Sequence, residues 1–238
     1  MSWPYPRIVA HRGGGALAPE NTLGAIRMGA SLGFRGVEFD VMLSADKAPV
    51  LIHDETTDRT TGQPGEVPRL LLADLKKFKA GGNEAIPTFE EAGTLCRSLG
   101  IWANVEIKPA KGYERETGEV VARMARELWR GAALQPVLSS FSLDALAAAR
   151  AAAPEMPRGY LVDEVPAAWM DDARRIKCVA IHCNQKKLTE QTAKAIVAAG
   201  YGLLCWTVNE PDAGRRLLDW GVNCLVTDAL NVIGPEFA

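Results

Sequence analysis

Short β-rich runs and helical patterns alternate along almost the whole chain, and this order constrains the fold more than any other feature. The β-like runs cover residues 7–11, 36–43, 50–53, 101–107, 137–141, 158–162, 178–182, 203–208 and 223–227, each bounded by Gly, Pro or polar residues. Helical periodicities lie between most of them, at 21–32, 88–99, 114–129, 143–152, 166–174, 189–199 and 211–220. Strand-then-helix order of this kind builds a parallel sheet covered by helices. The third run breaks the order, because the segment 44–49 is far shorter than the dozen or so residues a parallel crossover takes. That run is expected to fold back as a hairpin, with Leu43 opposite Pro49 and His53 opposite Phe39. The eight runs left over are the number that closes an α/β barrel of the TIM (β/α)8 type, and 238 residues fit one such domain.

Residues 55–86 stay outside the alternation, with Gly62, Pro64, Gly65, Pro68 and a short amphipathic piece at 71–78. The expectation is a single domain, 1–238, with this small insertion following the hairpin strand. Loops at the C-terminal ends of barrel strands carry function, so the insertion reads as a lid or substrate-shaping element, or else as a passive excursion. The alanine-dense segment 143–152 is expected to be a closely packed helix.

The strands end in charge. His11-Arg12-Gly13 closes the first run, Glu38-Phe39-Asp40 lies in the second, His53-Asp54 ends the hairpin and Glu106-Ile107-Lys108 ends the fourth. Side chains alternate faces along a strand, so Glu38 and Asp40 project to one side, as do Asn104, Glu106 and Lys108. Three carboxylates aimed the same way repel one another, and one hard divalent cation, Mg²⁺ or Ca²⁺ with Mn²⁺ a further option, resolves the conflict. The plainer alternative is a pair of surface salt bridges, which suits Glu38 and Asp40 poorly because Val37, Phe39 and Val41 flank them.

All three histidines of the chain, His11, His53 and His182, fall at expected strand ends. His11 and His53 sit beside the carboxylates and are candidates for proton transfer near neutral pH. For His182 a buried barrel-lining role and a functional one stand level, since no other motif residue surrounds it. Arg12 and Lys108 put a guanidinium and an ammonium at the same mouth, where they suit a phosphate oxygen. Together these parts describe phosphoryl transfer.

A competing motif needs weighing. Residues 13–18 match G-x-G-x-x-A after a strand, and Glu38 lies where a ribose-binding acid would be expected. In a dinucleotide site, however, the helix starts inside the glycine loop, whereas here Pro19-Glu20-Asn21 intervene and Asn21 reads as the N-cap. A nicotinamide or flavin role would also leave Asp40 and His11-Arg12 unexplained.

A net charge of −2 with 24% charged residues gives no electrostatic footprint for nucleic acid or an anionic membrane, so a small soluble substrate is the expected partner. The first six residues, Met1-Ser2-Trp3-Pro4-Tyr5-Pro6, lack the features of a secretory leader, and no apolar run is long enough to cross a bilayer. A cytoplasmic protein without membrane anchoring is the expectation. The five cysteines are odd in number and scattered, and read as buried small hydrophobes.

Taken in order, His11-Arg12-Gly13, Pro19-Glu20-Asn21-Thr22, Glu38-Phe39-Asp40-Val41, Val50-Leu51-Ile52-His53-Asp54, Glu106-Ile107-Lys108, Ser140-Phe141, Trp206-Thr207-Val208-Asn209 and Thr227-Asp228 resemble the bacterial glycerophosphodiester phosphodiesterases. The resemblance runs from the first strand to the last. It implies a TIM barrel that hydrolyses glycerophosphodiesters to sn-glycerol 3-phosphate and an alcohol with the help of a metal. By it, His11 and His53 match the acid/base pair, Glu38, Asp40 and Glu106 the metal ligands, and Arg12 and Lys108 the phosphate contacts. Trp206 matches an aromatic at the pocket rim, with core packing as its alternative. Local departures are a third glycine, Gly15, and a short insertion, which bears on substrate breadth. A lysophospholipase D or sphingomyelinase D-like activity would want an exposed apolar rim, and residues 70–72 supply little of one. A binding barrel without catalysis is disfavoured by intact His11, His53 and carboxylates.

Overall fold

A computed structural model of the protein describes residues 3–238; Met1 and Ser2, part of the N-terminal stretch read above, lie outside the described residues. The chain runs β1 (Ile8–Ala10), α1 (Leu23–Ser31), β2 (Gly36–Leu43), β3 (Pro49–Leu51), α2 (Asp58–Thr61), α3 (Leu72–Leu75), β4 (Lys79–Ala80), β5 (Glu84–Ala85) and α4 (Phe89–Leu99). It continues through β6 (Trp102–Ile107), α5 (Glu114–Leu128), β7 (Val137–Ser140), α6 (Leu143–Ala152), β8 (Arg158–Val162), α7 (Trp169–Arg175), β9 (Ala180–Asn184), α8 (Glu190–Ala198), β10 (Gly202–Trp206), α9 (Pro211–Asp219) and β11 (Cys224–Thr227).

Strands β1, β2, β6, β7, β8, β9, β10 and β11 pair in parallel in that order, and β11 closes onto β1, giving the eight-stranded barrel. β1 leaves the edge of β2 after Ala10 pairs with Val37, and β3 takes the same edge higher up, antiparallel. The hairpin has the expected register, Leu43 opposite Pro49. Its ladder stops at Val41 opposite Leu51, with the Ile52 N–H donating to the Asp40 carbonyl at 3.2 Å, so His53 stands in a bend beyond the strand and not opposite Phe39.

Further differences from expectation have local causes. α1 is capped by Thr22, whose hydroxyl accepts the Ala25 N–H at 3.0 Å, and Asn21 sits outside it at φ +57°. β9 begins two residues late because the Arg158 guanidinium ties the carbonyls of Ile176 and Lys177 into a turn, Lys177 having φ +50°. His182 is therefore mid-strand. The insertion contains a small antiparallel hairpin, β4–β5, that its sequence did not suggest.

The two-residue alternation of the strands divides the core. Val37, Phe39, Val41, Ala103, Val105 and Ile107 face out under the helices, in the main apolar cluster. Inside the barrel, Val9, Trp102, Val137, Leu204, Cys224 and Val226 form an apolar layer, with Tyr5 packed on Trp102 at a ring separation of 4.7 Å. That layer seals the lumen from below, which leaves the polar residues to the C-terminal ends of the strands. A third cluster joins Val67, Leu75 and Ile86 of the insertion to Met42, Val50 and Ile52, so the insertion is seated on the hairpin by buried apolar surface. The alanine-rich segment is helical as expected, α6 burying Ala145, Leu146, Ala148 and Ala149. All five cysteines are free and buried. Among the described residues, no helix is long and apolar enough to cross a membrane.

Candidate active site

Glu38, Asp40 and Glu106 meet at the top of the lumen because β2 and β6 run parallel in a register that sets Asp40 beside Glu106 and Glu38 beside Asn104. The three are 5%, 1% and 8% exposed, and one oxygen from each lies within 4.8 Å of the others. Like charges on neighbouring strands at this depth are costly. Burial, followed by the charge of Asp40, pushes Glu38 up to about 7 and Glu106 up to about 8.

Each carboxylate has one oxygen fixed by the protein. The Arg12 N–H donates to Glu38 Oε2 at 3.0 Å, Asn21 Nδ2 donates to Asp40 Oδ2 at 2.9 Å, and Lys108 Nζ donates to Glu106 Oε1 at 3.0 Å. Asn21 also receives the Asp40 backbone N–H at 3.1 Å, so the left-handed turn at Asn21 holds Asp40 from both its main chain and its side chain. The second oxygen of each carboxylate makes no hydrogen bond among the described residues. A buried, all-oxygen set with one uncommitted atom per ligand fits a hard divalent cation.

Two imidazoles flank this cluster, and each is held by a carboxylate on Nδ1. His11 Nδ1 lies 2.6 Å from Asp228 Oδ1, and His53 Nδ1 lies 2.6 Å from Asp54 Oδ1. A carboxylate only accepts here, so each Nδ1 carries the proton and Nε2 is left for chemistry. Lys108 Nζ lies 3.0 Å from His53 Nε2; an ammonium has no acceptor capacity, so this Nε2 offers its lone pair. His11 Nε2 faces Glu38 Oε2 at 3.8 Å. Burial opposes charge on His11, but the bond to Asp228 and the charge of Glu38 outweigh it and its pKa is raised. Asp54 is pushed up by burial and pulled down further by Arg59 and His53, to about 2.

These groups open into one cavity of about 230 Å³, lined by His11, Arg12, Glu38, Asp40, His53, Asn104, Glu106, Lys108, Phe141 and Trp206 among others. Trp206 stands edge-on to Phe141 at 5.7 Å and also packs on the lumen layer. His182 lies deeper on the same wall, fully buried, with neither ring nitrogen hydrogen-bonded and its pKa pushed down by burial to about 3. Its ring lies across β8, where a Cβ on Gly159 would come within 2.5 Å of Nε2. It is a neutral lumen residue, apart from the acid cluster.

The model of the glycerophosphoryl diester phosphodiesterase family matches residues 11–232 of this chain. The chain belongs to that family. It is thus an enzyme, a phosphoric diester hydrolase of the glycerophosphodiester phosphodiesterase class. It is 32% identical to the probable glycerophosphodiester phosphodiesterase 2 of Mycobacterium tuberculosis, over 94% of this chain and 88% of that one. It is 30% identical to the glycerophosphodiester phosphodiesterase of Bacillus subtilis, over 92% and 82%. In three dimensions it is similar to a phosphodiesterase from Oleispira antarctica solved with the product sn-glycerol-3-phosphate, with a TM-score of 0.90, 34% identity and coverage of 96% and 95%.

In this phosphodiesterase several residues at the mouth went without a role in the sequence. Asp228 holds His11 because barrel closure sets Ala10 beside Thr227, so the next residue of each strand meets the other. Gly15 serves this contact: at φ +54°, it lets the loop pass where a Cβ would lie 2.4 Å from the Asp228 carbonyl oxygen. The resemblance included Thr227-Asp228 and His53-Asp54, and a rule that each strand-end histidine needs an orienting carboxylate would have found both. Glu20, which pairs with Arg12 at 2.7 Å, also lay in a segment of the resemblance, Pro19-Glu20-Asn21-Thr22, but no rule of spacing gave it a role.

The carboxylates predict how the metal-free enzyme responds to pH. Glu38 and Glu106 bind protons more tightly when folded, so the stability they lend is full below the ordinary glutamate range and drains away as pH climbs through about 7 and about 8. His11, also raised, loses its contribution in the same direction above its usual 6.5. His182, lowered to about 3, acts in the opposite sense only below 6.5. Between pH 6.5 and about 8 the chelated protein should therefore lose stability, by up to about 1.4 kcal/mol per pH unit for each proton released on unfolding, and melt at steadily lower temperature. A Tm that rises across this window would contradict the ionisation assigned to the cluster.

Proposed function

We propose that the enzyme hydrolyses glycerophosphodiesters to sn-glycerol 3-phosphate and an alcohol, with His11 and His53 as its acid/base pair and a divalent cation, Mg²⁺, Ca²⁺ or Mn²⁺, held by Glu38, Asp40 and Glu106. The observation that carries this reading is that two imidazoles, each with Nδ1 on a carboxylate, share one cavity with the buried acid cluster, Arg12 and Lys108. The product bound by the Oleispira antarctica relative supports the choice of substrate. Residues 1–238 act as one domain, and Trp206 with Phe141 borders the alcohol side.

The free 2-hydroxyl of the glycerol lies next to the phosphate, a tethered nucleophile whose effective concentration exceeds that of water by orders of magnitude. His53, whose Nε2 carries no proton and accepts from Lys108 before substrate enters, takes the hydroxyl proton as the oxygen bonds to phosphorus. His11, whose pKa is raised, gives a proton to the departing alcohol as the exocyclic P–O bond breaks. The result is a cyclic 1,2-phosphate. In the second step the roles exchange: His11 takes a proton from water as its oxygen adds to phosphorus, and His53 returns one to the 2-oxygen as the ring opens. Arg12 and Lys108 bind phosphate oxygens throughout. Glu38, Asp40 and Glu106 would hold the cation, which would supply Lewis-acid charge to the reaction.

The test is sn-glycerol 3-phosphate release from a panel of glycerophosphodiesters differing in the alcohol, with metals returned singly to chelated enzyme. A 2-deoxy analogue should bind and yet react very slowly. Its hydrolysis at the normal rate would show direct attack by water, and failure of every glycerophosphodiester would overturn the substrate assignment.

A further inference from the structure

Arg59 belongs to the insertion, on α2, but its guanidinium joins the two sides of the mouth. Nε donates to Asp54 Oδ2 at 2.6 Å, Nη1 to Glu20 Oε2 at 2.6 Å and Nη2 to Glu20 Oε1 at 2.7 Å. Beyond those carboxylates, Asp54 Oδ1 holds His53 Nδ1 at 2.6 Å, and Glu20 Oε1 accepts Arg12 Nη1 at 2.7 Å. An unbroken chain, His53–Asp54–Arg59–Glu20–Arg12, therefore runs from an imidazole at the cluster to a guanidinium beside Asp40.

We propose that Arg59 is a positioning residue for the reaction: it fixes Asp54 so that His53 presents Nε2, and fixes Glu20 so that Arg12 faces the phosphate. The insertion is on this account the carrier of one orienting group. The proposal rests on the roles given above to His53 and Arg12. Asp54 stands in the bend beyond the hairpin ladder and is only partly buried, so without a second partner its carboxylate can rotate off Nδ1. The geometry demands arginine. Its planar fork grips Glu20 through two nitrogens while Nε serves Asp54, and a lysine ammonium cannot span both. Because the Arg59 side chain is half exposed, its ion pairs add little to folding, and the effect belongs in the rate.

The experiment compares Arg59→Ala, Arg59→Lys, Asp54→Asn and the double variant Arg59→Ala with Asp54→Asn, on holoenzyme. Arg59→Ala should lower kcat/KM by about 10–100-fold, the usual cost of losing an outer orienting partner, with Tm nearly unchanged. The double variant should be slower than Asp54→Asn by less than Arg59→Ala alone costs, because the part Arg59 plays through Asp54 is already lost while its hold on Glu20 is not. Arg59→Lys should stay impaired, and added guanidinium should restore part of the Arg59→Ala rate. The downfield Nδ1–H proton resonance of His53 should shift or broaden in Arg59→Ala and not in a control at Arg69. Independent, multiplicative losses in the double variant, or full activity in Arg59→Lys, would overturn the proposal. If wild-type enzyme hydrolyses no glycerophosphodiester, the functional reading fails instead, and an unmoved His53 resonance in Arg59→Ala overturns the positioning role in its own right.

Discussion

His11→Ala and His53→Ala are each expected to slow hydrolysis by roughly 10²–10⁴-fold, the usual worth of a general acid or base. Both imidazoles are preorganised by a 2.6 Å contact from Nδ1 to a carboxylate, so the loss falls on the chemical step and thermal stability changes little. His182→Ala is the control. That ring is equally a histidine of the lumen, but it is fully buried, unpartnered and neutral, and its removal should leave turnover close to wild type. Single-turnover rates of the three variants check the assignment. A crippled His182→Ala beside an active His53→Ala would sink it.

Chelation should abolish activity, and Mg²⁺, Mn²⁺ or Ca²⁺ should restore it. Asp40→Asn ought to weaken cation binding strongly while sparing the fold, because an Asn oxygen can still accept from Asn21 Nδ2 and one of three mutually repelling charges has gone. Calorimetric titration of the metal into each protein reads the affinity, and a melt of the metal-free forms reads the stability. Full turnover in excess chelator, or wild-type affinity in Asp40→Asn, would remove the cation or the ligand from the scheme.

The parts of this site that were legible in the sequence are those set by local geometry. Alternation along β2 and β6 put Glu38, Asp40 and Glu106 on one face, and the brevity of 44–49 forced the hairpin that carries His53. What closure of the barrel decides was harder to see. Asp228 meets His11 only because the last strand returns to the first, across 217 residues of sequence. Arg59 reaches Glu20 across 39 residues from a segment with no period to read, so no pattern announces it. Asn21 was misread for a subtler reason: Asn and Thr are both good helix caps, and only the fold shows that Thr22 does the capping while Asn21 turns away to grip Asp40.

The charge inventory of the mouth bears on the turnover cycle. Six carboxylates, Glu20, Glu38, Asp40, Asp54, Glu106 and Asp228, face Arg12, Arg59 and Lys108, so the protein groups alone leave an excess of three negative charges when all are ionised and the histidines are neutral. A bound dication would reduce that excess to one. A phosphodiester, a monoanion, adds a single negative charge. The monoester product has a second ionisation near pH 6 and carries close to two negative charges at neutral pH. Hydrolysis thus adds a second negative charge to a mouth already in negative excess, and this would favour expulsion of a monoester product over its retention.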